Sequence, residues 1–210
     1  MGRALAATTL VAVLGVAPTI PSATSLSATE ILARVTGRDA ALTSYSVPVR
    51  MDVRVHKLLT FRMGFDGMQY YKRPDRLALE GAKIPPQGRK LFAELGTPLT
   101  WPQQYDLRLV AANGERGPYH LEGTPKHPSD VAKMSVDIDG DPSAPLHAQW
   151  LMHDGSTVDM HITEEAAGGY SFPKHADVDL NVSGYKIHAS IDYGPYAVNE
   201  TVADSVFAGS

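Results

Sequence analysis

The sequence predicts an α+β fold built on one long antiparallel sheet, and three observations carry that prediction. Apolar and polar residues alternate with period two in successive segments from Val47 to Ala189. Asp-Gly and Ser-Gly pairs fall between such segments as hairpin turns. Helical periodicity is confined to two stretches. With 210 residues, 43% of them hydrophobic, the chain is long enough to bury a continuous core.

Residues Met1 to Ala23 read as a signal peptide. Arg3 supplies the positive charge, Leu5 to Val16 is apolar, and Pro21-Ser22-Ala23 offers small residues for cleavage. The alternative is an apolar N-terminus of a cytoplasmic protein. The run is too short to span a bilayer, and no later segment reaches that length. Export leaves residues 24–210 as a single domain. Ser27-Ala-Thr-Glu30 fits a capping box, and Ile31, Leu32, Val35 and Leu42 recur at helical spacing. A helix is therefore expected from Ala28 to Thr43.

The period then changes to two. Val47, Val49, Met51, Val53 and Val55 alternate with polar residues such as Arg50, Asp52 and Arg54. Leu59, Phe61, Met63 and Phe65 form the next strand, and Asp66-Gly67 predicts a hairpin turn into Met68 to Lys72. Leu77 to Glu80 is a further short strand. Residues Gly81 to Pro102 interrupt the meander: Arg89 to Leu95 reads as a short helix exposing Leu91, Phe92 and Leu95 on one side, with Trp101 in the connection. A lid and a plain crossover both fit this insertion.

Strands resume at Leu107 to Ala112, Tyr119 to Gly123, Met134 to Ile138, Leu146 to His153 and Ser156 to Thr163. Asp154-Gly155 joins the last two. A two-residue turn at Ser183-Gly184 sets Val182 opposite Tyr185, Leu180 opposite Ile187 and Val178 opposite Ala189. Apolar meets apolar throughout, so that register supports itself.

Composition narrows the chemistry. The absence of cysteine excludes disulfides, zinc–cysteine sites, iron–sulfur clusters, a thiol nucleophile and an acylated N-terminal cysteine. A net charge of −4 argues against a nucleic-acid partner. The charge is also polarised: residues 24–105 hold 12 Lys or Arg against 7 Asp or Glu, and residues 106–210 hold 6 against 16. A basic half can orient a protein near an anionic surface, but an ordinary solvated sheet face is the better explanation of the asymmetry taken alone.

The eight histidines raise a metal hypothesis. A two-residue turn at Asp154-Gly155 sets His161 opposite Ala148, on the other face from His147 and His153. Three ligands then fail to converge, so these are read as exposed strand histidines, with no metal and no cofactor expected. Asp137, Asp139 and Asp141 fail as a calcium loop, because Pro142 stands at the required glycine and Ala148 at the bidentate carboxylate. There is no G-x-S-x-G elbow and no phosphate-cradling loop; Gly168-Gly169 is a turn before Tyr170. The residues offer no catalytic centre.

The order of elements nevertheless resembles a known family. An export signal, a helix, a meander and a helical insertion precede Tyr119-His-Leu-Glu-Gly-Thr-Pro-Lys126, Val136-Asp-Ile-Asp139, a D-G hairpin and a terminal strand pair. With Tyr70-Tyr-Lys-Arg-Pro-Asp-Arg76 and the ending Asn199-Glu-Thr-Val-Ala-Asp-Ser-Val-Phe207, the layout is similar to the LolA/LolB-like lipoprotein-carrier superfamily of periplasmic proteins. The resemblance covers nearly all of residues 24–210. It implies a strongly curved antiparallel sheet, an incomplete β-barrel, with helices covering the concave face and acyl chains of a lipid or lipoprotein held beneath them. Carried over by position, the lid is Ile31, Leu32 and Val35 with Leu91, Phe92 and Leu95. The sheet lining is Met51, Val53, Phe61, Met63, Phe65 and Trp150. A filled core and a cavity share this apolar pattern.

The missing cysteine is unlike the membrane-anchored receptor member and like the soluble carrier, while the arginine that latches the carrier's lid has no placed equivalent. The leading expectation is a monomeric extracytoplasmic carrier of lipid or lipoprotein acyl chains, meeting a membrane or envelope protein transiently. An envelope sensor resembling MucB/RseB-type regulators is the second, and an envelope hydrolase using a residue such as His175 or Asp192 the third.

Overall fold

The structure is a computed structural model that describes residues 27–35, 41–81, 83–113, 117–139, 146–182 and 184–208. The expected signal peptide, Met1 to Ala23, lies outside the described residues. Among the described residues no helix is long and apolar enough to cross a membrane.

The first helix, α1 (Ala28–Val35), starts on the expected capping box. The Ser27 amide donates to Glu30 Oε2 at 2.7 Å, and the Glu30 amide donates to Ser27 Oγ at 3.2 Å. Ile31 and Leu32 are fully buried. The helix does not continue to Thr43. Leu42 is buried outside any helix, and the Thr43 amide is held by Asn199 Oδ1 at 2.8 Å instead.

Strands β1 (Ser44–His56), β2 (Thr60–Lys72) and β3 (Arg76–Glu80) follow. The expected turn at Asp66-Gly67 is absent. β2 runs straight through it, with Asp66 opposite Arg50 and Gly67 opposite Val49. The reversal lies at Lys57, Leu58 and Leu59, where the Lys57 amide bonds to the Leu59 carbonyl. Gly67 serves close approach rather than turning: a Cβ there would sit 2.5 Å from the Glu80 carbonyl oxygen.

The insertion forms α2 (Pro86–Leu95), one turn longer at its start than expected, and α3 (Trp101–Gln104). Then come β4 (Tyr105–Ala112), β5 (Tyr119–Pro125), β6 (Val131–Ile138), β7 (Leu146–Met152), β8 (Thr157–Ala167), β9 (Tyr170–Val182), β10 (Tyr185–Tyr193) and the short β11 (Ala197–Val198). All pair antiparallel in one sheet of order β3-β2-β1-β10-β9-β8-β7-β6-β5-β4, with β11 on β1. The sheet is open and curved, an incomplete barrel, as the resemblance implied. The segment bearing α2 and α3 connects its two edge strands, β3 and β4.

The terminal pair has the expected register, Val182 opposite Tyr185 and Leu180 opposite Ile187. The β7–β8 pair does not. His147 lies opposite His161, and Ala148 opposite Met160. The Met152 amide bonds to the Ser156 carbonyl, so the loop holds three residues, His153, Asp154 and Gly155, with Gly155 at φ +84°. That is the three-residue hairpin closed by a left-handed glycine, and its one extra residue reverses every side chain of β8 relative to the two-residue expectation.

Candidate functional site

Directly opposed residues share a face, so the register assembles the concave face row by row. One row runs Phe61, Val55, Ile187, Leu180, Val158, Trp150 and Met134 across β2, β1, β10, β9, β8, β7 and β6. The next runs Met63, Val53, Ala189, Val178, Met160, Ala148 and Val136. Every member is apolar, which is the period-two pattern expressed over seven strands.

The helices cover these rows unevenly. Over β5 to β8 the face is filled. Trp101 packs edge-on against Trp150 at 5.9 Å and donates its indole N–H to the Leu95 carbonyl at 2.9 Å. Gln104 and Tyr105 bond to the carbonyls of Ala93 and Glu94, fastening the end of α2. Lys90 reaches Asp130 at 2.9 Å, which ties α2 to the β5–β6 connection. A second aromatic cluster of Tyr45, Tyr71, Phe172 and Tyr196 fills the region near the start of β1.

Among the described residues, nothing comparable covers the corner formed by the far ends of β1, β2 and β10. Phe61 is 57% exposed and Met63 44% exposed, while Val53, Val55, Phe65, Ile187, Ala189 and Leu180 are half-buried. Beside it a groove of about 510 Å³ opens between Leu91 of α2 and Val158, Leu180 and Val182 of the sheet. Lys90, Glu94, Asp130, His153 and Asp154 rim the groove. Its size lies within the usual range of small-molecule sites, and an apolar floor with a charged rim suits an amphiphile. A larger depression, about 620 Å³ over β4 to β6, is charged, and its Arg108 and Lys133 are both paired with Glu122. Those two hydrogen bonds hold the Glu122 carboxyl down at about 2.

The expected site residues thus divide. Ile31, Leu32, Met51, Leu95 and Trp150 are buried in the core. Val53, Phe65, Leu91 and Phe92 are half-buried at the uncovered corner and on α2, and Phe61 and Met63 stand open at its rim. Val35 ends α1, and its side chain lies outside the described residues. Sequence reasoning missed Val55, Leu180 and Ile187. The register that adds Ile187 and Leu180 was legible in the β9–β10 hairpin; the β1–β10 pairing that brings them to Phe61 was not.

The resemblance motifs turn out to be fastenings. Lys72 and Arg76 both grip Asp204, at 2.7 and 2.8 Å, and Arg76 lies over the Phe207 ring. The Lys126 amide and ammonium bond to the carbonyls of Gln104 and Pro102.

The convex face is polar and holds a belt of His–Asp contacts. His175 Nδ1 is 2.7 Å from Asp192, His188 Nδ1 3.0 Å from Asp179 and His120 Nδ1 2.6 Å from Asp137. The hydrogen bond to Asp192 chiefly holds the His175 imidazole above its ordinary value. His175 and Asp192, each named as an example of a residue a hydrolase could use, form one contact among several alike. His147 and His161, expected on opposite faces, stack here with ring centres 4.3 Å apart, a direct consequence of the three-residue loop.

No protein-family model matches the chain, and no curated protein matches it by sequence. Solved structures do match its fold. A LolA superfamily protein from Nitrosomonas europaea superposes with a TM-score of 0.64 at 13% identity, covering 88% of this chain and 98% of its own. A domain described as an outer membrane lipoprotein-sorting protein from Vibrio parahaemolyticus gives 0.59 at 10% identity, covering 86% and 95%. A DUF1329 family protein from Desulfovibrio piger gives 0.56 at 12%, covering 85% and 95%. The chain has a LolA-like fold.

Proposed function

We propose that a protein with this LolA-like fold is an extracytoplasmic, non-enzymatic carrier or binding protein for lipid or lipoprotein acyl chains. In this reading residues 1–23 direct export to the periplasm, and residues 24–210 are one monomeric lipid-binding domain. The observation that carries it is the uncovered apolar corner, where Phe61 and Met63 stand 57% and 44% exposed at the mouth of a continuous apolar face. Burying an acyl chain there gains about 0.8 kcal/mol per CH₂, so a long chain supplies ample affinity from area alone. A domain described as lipoprotein-sorting among the similar structures agrees with this chemistry.

The same corner suggests where cargo crosses. Leu58 and Leu59, 93% and 68% exposed, cap the β1–β2 reversal, with Lys57, Arg54, Arg62 and, opposite His56, Lys186 around them. An apolar tip in a cationic setting suits an anionic membrane surface, which attracts each nearby cation by about 1 kcal/mol.

Native mass spectrometry of the protein from its own host, with uptake of a fluorescent fatty acid, tests the reading. Bound lipid and saturable uptake are expected, with Phe61→Asp reducing uptake at least tenfold. A chain that never carries lipid and takes up no fatty acid overturns it.

A further inference from the structure

The β7–β8 register has a second consequence, on the convex face. The geometry points to a binding site for a divalent transition metal, zinc or a neighbouring late first-row ion, held by His147, Asp159 and His161. This site is independent of the lipid-binding reading.

His147 lies on β7, and Asp159 and His161 lie two residues apart on β8, all on one face. His147 Nε2 is 3.1 Å from Asp159 Oδ2, and His161 Nε2 is 3.2 Å from Asp159 Oδ1. One donor atom from each residue fits within a sphere of mutual separations under 4.8 Å. Ligands arranged tetrahedrally around zinc at about 2.0–2.1 Å are separated by about 3.3 Å, close to the nitrogen–oxygen spacings here. The stacked His147 and His161 rings, with the exposed His161 the freer, turn out of parallel to meet one ion. Two imidazoles and one carboxylate form a donor set suited to zinc, copper or nickel rather than to the all-oxygen preference of calcium or magnesium.

The surroundings support the ligands. Asp137 stands 3.5 Å from His147 Nδ1, the place of the carboxylate that orients a metal-ligating imidazole. Gln149 Nε2 donates to Asp159 Oδ2 and fixes that carboxylate. His161 is 58% exposed, which leaves the remaining coordination positions open to water or to a group from another molecule. Asp177, opposite His161 on β9, adds negative potential. An ion here would clip β7 to β8 from the outside.

Zinc titration of the tag-free full chain by calorimetry, paired with the visible spectrum of the cobalt-loaded protein, tests the assignment. One zinc per chain is expected, with the absorption of low-coordinate cobalt. His147→Ala and His161→Ala should each lower affinity by more than the roughly 10–100-fold that loss of an orienting partner costs, and Asp137→Asn by about tenfold. His175→Ala, on the neighbouring contact, should leave it unchanged. Circular dichroism confirms folding of each variant, and His161→Gln, at an exposed position, serves if an alanine variant does not fold. No zinc uptake by the wild-type chain overturns the assignment. So does uptake that persists in the His147→Ala, His161→Ala double variant, or that vanishes with His175→Ala.

Discussion

Gly67 shows how one residue can carry two incompatible local meanings. Followed by Met68 and preceded by Asp66, it looks like a hairpin turn, yet its role is to let β2 pass against the Glu80 carbonyl and the Ile84 side chain. Gly67→Ala should therefore destabilise the fold by about 1–3 kcal/mol, the range for forced overpacking, as measured by urea unfolding. His175 illustrates a charge effect at the same scale. Its folded value is raised, first by the Asp192 hydrogen bond and further by Asp177. A raised value means that its contribution is fully present below the unfolded value, about 6.5, and fades as pH rises through the folded one. The melting-temperature difference between wild type and Asp192→Asn should accordingly be larger at about pH 5.5 than at about pH 8. The exposed Asp192 carboxylate keeps the effect small, and equal differences at both pH values would refute this origin.

At the scale of elements, the β7–β8 loop decides the most. Asp154 accepts a hydrogen bond from the Ser156 amide and is held below its ordinary range chiefly by that bond. Gly155 takes φ +84° with nothing within 4 Å of a built Cβ. Gly155→Ala should thus cost roughly 1 kcal/mol through backbone conformation alone, visible as a lowered melting temperature with no change in lipid uptake. The hairpin itself was legible, because an Asp-Gly pair between two alternating segments is a local signal. Loop length was not, since two and three residues use the same pair, and the choice reverses which of His147 and His161 share a face. The Ser183-Gly184 hairpin was resolved correctly because its apolar pairs match in only one register.

At the scale of the whole molecule, the question is which part of the concave face is core and which is site. Trp150→Ala should cost about 3–5 kcal/mol, since Trp150 is fully buried against Trp101. Phe61→Ser and Met63→Ser, at the rim, should change stability by less than about 1 kcal/mol while weakening fatty-acid uptake severalfold. Equal losses of stability at both places would mean that the corner is core. From the residues alone these side chains were indistinguishable, as both are apolar members of alternating strands. What separates them is that α2 and α3 cross from β3 to β4 and fill one side of the curved sheet.

The local sequence by itself determined the capping box at Ser27, the strand alternation, the β9–β10 register and the helical insertion. Each depends on neighbours within a few residues, where hydrogen-bond and side-chain preferences act directly. Only the tertiary structure decided the three-residue loop, the joining of β1 to β10 and the uneven cover of the concave face. Those are set by competition among distant packings, in which one residue of loop or one side of a sheet changes which apolar groups water can reach.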